Sequence, residues 1–317
     1  MCLSVCVHVC VWVCDCVCVF VCVCVCAWCL CLLCCVLRTR PALCGVRIKD
    51  QTSAVWSVLC IKDQTSAVRS VLCVVSVPPL ARLHPQDCAE IYRRGIVENG
   101  FYTIQPALQR PALEAKCDMQ TAGGGWTVFQ RRQDGSLDFN RTWQAYAEGF
   151  GSPPAGELWL GNAALHALTA AGGPHTLRIE LEDWRQQRRH AVYSSFRVGT
   201  DPVLSRFRLT AREYSGDAGD ALSYSARYNH DGRAFSTADR DHDRYAAGHC
   251  ARYYGAGWWF DACLAANLNG RYYRGRYGGL TDGIYWGTWH ALTDARTGER
   301  LSFKTVEMKT RPGPPRG

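Results

Sequence analysis

Where the cysteines fall is the strongest constraint on what this chain can fold into. Of twenty, only Cys88, Cys117, Cys250 and Cys263 lie beyond residue 81. A disulfide-stapled scaffold spreads its cysteines through the fold, so the two regions need separate explanations.

Between Val5 and Cys26 valine and cysteine alternate, as in VCVCVC at 21–26. A GTGTGT tract read in triplets encodes Val and then Cys. IKDQTSAVWSVLC at 48–60 then returns as IKDQTSAVRSVLC at 61–73. Two copies of so short a unit make no solenoid, which needs three or more stacked repeats. Residues 1–80 are therefore expected to be translated simple-repeat DNA, unstructured and of doubtful standing in the gene. A second reading is a signal or anchor, because 1–37 are apolar with Asp15 as the one charge before Arg38. Against it, there is no basic n-region and the stretch outruns a signal's apolar core. A lone alternating strand also leaves its backbone unsatisfied in lipid. CxC pairs such as Cys14 and Cys16 lack the spaced knuckles of a structural zinc site.

Pro78, Pro79 and Pro85 mark a change of composition. The expected division is a linker at 81–86, a globular domain at 87–312 and a tail at 313–317. Within the domain, WTVFQRR (126–132), HTLRIELEDW (175–184), FRLTAREY (207–214) and FKTVEMKTRP (303–312) have strand character. Asp87 is placed to cap a helix in CAEIYRRG, and a second helix is expected over 162–169, before Gly172-Gly173-Pro174. The fold class is α+β: a twisted antiparallel sheet, short helices and a loop-rich C-terminal part.

The net charge of +8 comes without a basic run of five, which argues against nucleic acid and leaves only weak attraction to acidic glycans or membranes. Four late cysteines imply two disulfides and an oxidising compartment. Three pairings are open, of which nearest neighbours close the shortest loops. Asn140-Arg141-Thr142 is a glycosylation sequon, in keeping with secretion.

DRDHDRYAAGHC at 239–250 sets Asp239, Asp241 and Asp243 on alternate positions. Such carboxylates raise one another's pKa unless a cation lies between them, and calcium favours oxygen ligands. The run is not an EF-hand, because its sixth position is Arg244 and its twelfth Cys250.

CDMQTAGGGWTVFQRRQDGSLDFNRTWQAYAEGFG (117–151), STADRDHDRYAAGHC (236–250) and GWWFDACLAANLNGRYY (257–273) resemble the signature blocks of the fibrinogen C-terminal domain family. The likeness runs from about Asp87 to Pro312 and is greatest to a secreted immunoregulatory branch. It implies the disulfides Cys88–Cys117 and Cys250–Cys263, a cis peptide at Ala262–Cys263, and a Ca²⁺ site. The implied ligands are the side chains of Asp241 and Asp243 with the carbonyls of Tyr245 and Gly248. Ala247 is the alternative to Gly248, because the spacer before Cys250 is one residue longer than in the fibrinogen chains. Asp239 is left to cap the turn or pair with an arginine.

The resemblance also implies a binding surface beside this loop, within 250–290. The family's acetyl-group lectins carry a histidine after the second cysteine, where Leu264 stands here. Leu280 and Thr281 replace a tyrosine and an alanine, while Tyr254 fits the aromatic cage. The fibrin-polymerisation pocket has carboxylates where Tyr254 and Thr281 stand. The candidate contact residues are therefore Tyr254, Arg274, Arg276, Tyr277, Leu280 and Thr281. Tyr277 and the arginines are expected to be exposed, and Trp258, Trp259 and Trp286 to be core.

The expected function is recognition of a cell-surface receptor or extracellular-matrix protein. The alternatives are a calcium-dependent lectin for acetylated glycans and, most remotely, a prothrombin-cleaving activity. YSGDAGD (214–220) has no serine at the nucleophile position, and no GxSxG, HExxH or P-loop occurs, so the chain is not expected to be an enzyme. No heptad pattern precedes Asp87, which leaves the oligomeric state open. Either the chain is part of a longer one, or the globe acts alone with little avidity.

Overall fold

The computed structural model describes residues 83–152, 156–170, 173–201, 206–223, 228–290 and 294–313, with the backbone of six strands before them. The chain divides into two units, Met1–Ala81 and Arg82–Gly317. In the first, β1 (Cys6–Val13), β2 (Val17–Val25) and β3 (Trp28–Cys35) form one antiparallel meander. A second joins β4 (Cys44–Lys49), β5 (Val55–Lys62) and β6 (Val71–Ser76). The rest of this unit lies outside the described residues.

The second unit is built on a nine-stranded sheet whose pairings are all antiparallel. Its strands are β7 (Gly100–Ile104), β8 (Leu113–Asp118), β9 (Trp126–Arg132), β10 (Phe150–Gly151), β11 (Leu158–Trp159), β12 (His175–Glu182), β13 (Arg188–Thr200), β14 (Phe207–Gly216) and β19 (Thr305–Pro312). The two-residue strands β15 (Ala266–Asn267), β16 (Arg276–Tyr277), β17 (Tyr285–Trp286) and β18 (Arg300–Leu301) pair β15 with β17 and β16 with β18. The spatial order is β10-β11-β9-β19-β12-β13-β14, with β8 joining β9 to β7.

Alternation decides which face is buried. Leu177, Ile179 and Leu181 of β12 enter the core, and Arg178 and Glu180 take the opposite face. On that outer face Lys309, itself buried, meets Asp118 at 2.6 Å and Glu307 at 3.2 Å. A sheet face lined with charged side chains is thus closed by ion pairs, from Lys309 across to Asp118 of β8 and along β19 to Glu307.

Asp87 caps α1 (Cys88–Arg93), accepting the Glu90 N–H at 2.7 Å. Thr142 does the same for α2 (Trp143–Glu148). The third helix, α3 (Asn162–Ala170), lies on β13, and the Val198 N–H donates to Thr169 Oγ1 at 3.0 Å. The core between the sheet and its covering elements is aromatic, with Phe129, Tyr146, Trp159, Phe196, Phe235 and Trp259 buried. A smaller cluster under α1 contains the Cys88–Cys117 disulfide, with Ile91, Ile104 and Met119.

Between Asp217 and Glu299 the described chain is mostly loop. One helix, α4 (Cys250–Tyr254), starts at the second disulfide, Cys250–Cys263. The Ala262–Cys263 peptide is cis.

Candidate functional site: an acidic loop beside a tyrosine-lined groove

The three aspartates of DRDHD do different jobs. Asp239 accepts the Trp143 N–H at 2.9 Å, serving one of the free amides at the start of α2. Burial opposes its ionisation, yet hydrogen bonds from Thr237 and Trp143 hold Asp239 below the ordinary carboxylate value. Asp241 accepts the Asp243 N–H at 3.1 Å and stays exposed. Asp243 is turned inward with its side chain only 1% exposed. Its Oδ1 accepts the Tyr245 N–H and its Oδ2 the Cys250 N–H, both at 2.8 Å. Burial, and behind it the Asp241 carboxylate, push Asp243 above its ordinary range against those two amides.

His249 completes the cluster, and sequence reasoning missed it. Its Nδ1 lies 3.8 Å from Asp243 Oδ2 and 4.0 Å from Asp241 Oδ1. Among the described residues this buried nitrogen has no hydrogen-bond partner. One atom each from Asp241, Asp243 and His249 fall within 4.8 Å of one another. The two crowded carboxylates supply the oxygen donors that calcium takes, whereas the unserved nitrogen is a donor for a transition metal and not for calcium. The Tyr245 carbonyl, an expected ligand, accepts the Gly248 N–H at 3.1 Å, which closes the turn.

Asp261 holds this loop against its neighbours and His230 braces the 259–266 segment beside it; both are buried, and neither role was anticipated from sequence. Asp261 pairs with Arg233 at 2.8 Å and with Arg244 at 3.6 Å, and its carbonyl accepts the Arg244 N–H. His230 lies 2.7 Å from the Trp259 carbonyl through Nδ1, while Nε2 accepts the N–H groups of Ala265 and Ala266, each at 3.0 Å. Burial pulls its pKa down to about 4, so the ring is neutral and can serve both amides.

Beside the loop lies a groove of about 550 Å³. Tyr228, Tyr245, Tyr253, Tyr254 and Tyr285 line it, with the 262–265 segment along one side. Tyr254 stacks on Phe260, and Tyr253 sits edge-on to Tyr254 at 4.9 Å.

The expected contact residues divide. Tyr254 lines the groove, and Thr281 hydrogen-bonds to it, with Leu280 next in the chain and exposed. Arg274 and Arg276 are exposed but do not line the groove, and Arg276 pairs with Glu299 at 2.8 Å. Tyr277 corrects the expectation of exposure. It is buried because its ring stacks on Tyr273 at 4.1 Å and its hydroxyl accepts the Gly283 N–H. Burial pushes its pKa up to about 12. Trp258, Trp259 and Trp286 are core. Asn140 is exposed, in the turn before α2.

Residues 84–313 match the family model of the fibrinogen beta and gamma chains' C-terminal globular domain. The chain belongs to the fibrinogen C-terminal domain family. It is 46% identical over 240 residues to bovine fibroleukin and 47% identical over 236 residues to human fibrinogen-like protein 1. Those alignments take in 75% and 71% of this chain, against 54% of the fibroleukin and 72% of the fibrinogen-like protein. The chain therefore spans about half the length of the fibroleukin it matches. Among solved structures, the fibrinogen-like globe domain of human ANGPTL6 superposes with a TM-score of 0.65 at 39% identity, covering 75% of this chain and 99% of that one. A lamprey fibrin D-dimer complexed with the peptide Gly-His-Arg-Pro-amide superposes at 0.64, with 34% identity and coverage of 76% and 80%. Fibrinogen C-terminal domains are recognition modules that bind protein partners, and no enzyme family is indicated. Among the described residues no helix is long and apolar enough to cross a membrane.

Proposed function

We propose that the globe is a secreted, calcium-stabilised recognition module that takes a protein partner, a cell-surface receptor or extracellular-matrix component, into the tyrosine-lined groove. The observation that carries this reading is the lining itself. Five tyrosines from four segments converge there, and among the described residues no carboxylate or cation lines the groove. Tyrosine supplies contact area at low entropic cost and is enriched where proteins meet. The lamprey relative is complexed with a peptide whose second and third residues are basic. With tyrosines, Leu264 and two alanines as its described lining, the groove in this chain suits a segment entering with apolar side chains.

Calcium has a structural part in this reading. Held by Asp241 and Asp243 with the carbonyls of Tyr245 and Gly248, it neutralises the paired carboxylates and fixes the loop from which Tyr245 projects. Likeness to fibroleukin adds immunoregulatory signalling as the setting. The acetyl-glycan lectin remains the competing reading, and Leu264, which lines the groove, gives it no support.

The test is binding of the full chain to arrayed receptor ectodomains and matrix proteins, with calcium and with EDTA, beside a glycan array. Protein hits lost in EDTA and in Tyr253→Ala support the groove. Acetylated-sugar hits that vanish on chelation, with silence on proteins, would replace this reading by the lectin.

A further inference from the structure

The turn between β12 and β13 carries a feature that the groove does not use. Trp184 is 38% exposed there, a large apolar ring left in solvent. Its ring lies 6.3 Å from that of Tyr272, edge to face. Gly275 lies beside the indole, where a Cβ would stand 3.7 Å from the ring, so a larger residue would begin to cover it. Exposing an indole costs free energy, which marks it as a contact candidate.

Cationic residues flank Trp184 in the chain. Arg185 is in the same turn, and Arg188, with its side chain 80% exposed, opens β13. Lys304 reaches Glu182 at 2.8 Å, and Arg188 reaches the same carboxylate at 2.9 Å. Two positive charges thus share one negative. Arg189 lies 4.5 Å over the Trp289 ring. Among the described residues neither Arg185 nor Arg189 has a carboxylate within ion-pair distance. The other acid of the turn, Asp183, is buried, and its Oδ1 is engaged by the Arg185 and Gln187 amides. The 182–189 segment and Lys304, which pairs with it, therefore carry more positive than negative side chains beside one exposed apolar residue.

We propose that this turn is a docking site for a sulfated glycosaminoglycan, with a pyranose ring stacked on Trp184 and sulfates held by Arg185, Arg188 and Lys304. Guanidinium groups form planar two-point hydrogen bonds with oxyanions, and a pyranose presents an apolar C–H face that matches an indole. The Glu182 carboxylate keeps Lys304 and Arg188 in place but neutralises only one of them. An anionic sugar chain adds the missing charge. None of these residues lines the tyrosine groove, so the two surfaces can fail independently.

Heparin oligosaccharide binding to the full chain, followed by calorimetry in EDTA at two salt concentrations, tests the site. Arg185→Glu with Arg188→Glu should weaken binding at least tenfold and flatten its salt dependence. Trp184→Ala should weaken it about threefold without changing the salt dependence, because it removes stacking but no charge. Arg110→Glu with Arg296→Glu makes the same net charge change on exposed arginines elsewhere. Equal weakening by the two pairs would reduce the effect to overall charge and overturn the site. Poly-glutamate binding as tightly as heparin, with the same loss in Trp184→Ala, would assign the turn to an acidic protein segment and overturn the glycan. A circular dichroism spectrum matching wild type secures each variant's fold.

Discussion

Asp243 Oδ2 accepts the Cys250 N–H at 2.8 Å, which joins the acidic loop to the disulfide-closed segment 250–263. The same carboxylate is the buried member of the candidate cation site, so it has a structural duty before any metal arrives. Asp241 has a lighter one, a single hydrogen bond to the Asp243 N–H.

That difference predicts two separable variants. Asp241→Ala should abolish calcium binding by calorimetry yet change stability in EDTA by no more than about 0.5 kcal/mol, as exposed substitutions do. Asp243→Ala should also lower stability in EDTA by about 2 kcal/mol, because the amides of Tyr245 and Cys250 both lose an acceptor. In wild type, calcium at a hundred times its Kd should add about 2.7 kcal/mol. Identical melting of wild type with calcium and with EDTA would remove the metal from the account.

Acid should weaken the fold through His230. Its folded pKa is about 4 against an ordinary 6.5, because burial penalises the imidazolium. Above pH 6.5 both states are neutral and the ring's contribution is complete. Between 6.5 and 4 the unfolded chain takes up the proton first, so stability falls with pH by up to about 3 kcal/mol. His175, also held near 4 by burial, adds in the same window. Denaturant unfolding at pH 7.5 and 4.5, both in EDTA, should show the drop, and His230→Gln should shrink it. An undiminished drop in the variant would acquit His230.

Tyr277 separates stability from recognition. Tyr277→Ala should cost about 3 kcal/mol by removing a buried ring. Tyr277→Phe should cost about 1 kcal/mol for the Gly283 amide left without its acceptor. Arg274→Ala should leave the melting midpoint unchanged. A Tyr277→Ala protein of wild-type stability would return this residue to the surface.

The fold was legible where period and burial agree. The alternation of HTLRIELE identifies β12, and WTVFQRR coincides with β9. β13, the longest strand, was not read from its sequence, and the register slip opposite His175 and Leu177 shows why. Ala191 and Tyr193 face the core two residues apart, but the next core residue is Phe196, so the period of two breaks. α2 is six residues long, too short to show a helical period. The acidic loop was visible because its carboxylates are neighbours in sequence. The groove was not, because Tyr228, Tyr254 of α4 and Tyr285 of β17 are far apart in sequence and meet only in the folded chain, beside Cys263. His249 escaped notice for a similar reason: its nitrogen reaches Asp241 and Asp243 only after the chain turns at Gly248.

Asn140 and Thr142 tie a modification to a helix cap. The Asn140 side chain is exposed, and its own N–H donates to Asp138 at 2.9 Å. Two residues on, Thr142 Oγ1 accepts the Ala145 N–H at 3.3 Å at the start of α2. In a secretory host the sequon should be glycosylated, and peptide-N-glycosidase should lower the mass. Asn140→Gln should remove the glycan and leave α2 intact. Thr142→Ala should remove the glycan and also cost about 1 kcal/mol, because the cap goes with it. Thr142→Ser keeps both a capping oxygen and the sequon, so mass and stability should stay near wild type. Intact mass spectrometry with thermal melts of the enzymatically deglycosylated proteins checks all three. A wild-type chain from that host without any glycan mass would show that Asn140 is not an acceptor, and the cap cost of Thr142→Ala would then stand alone.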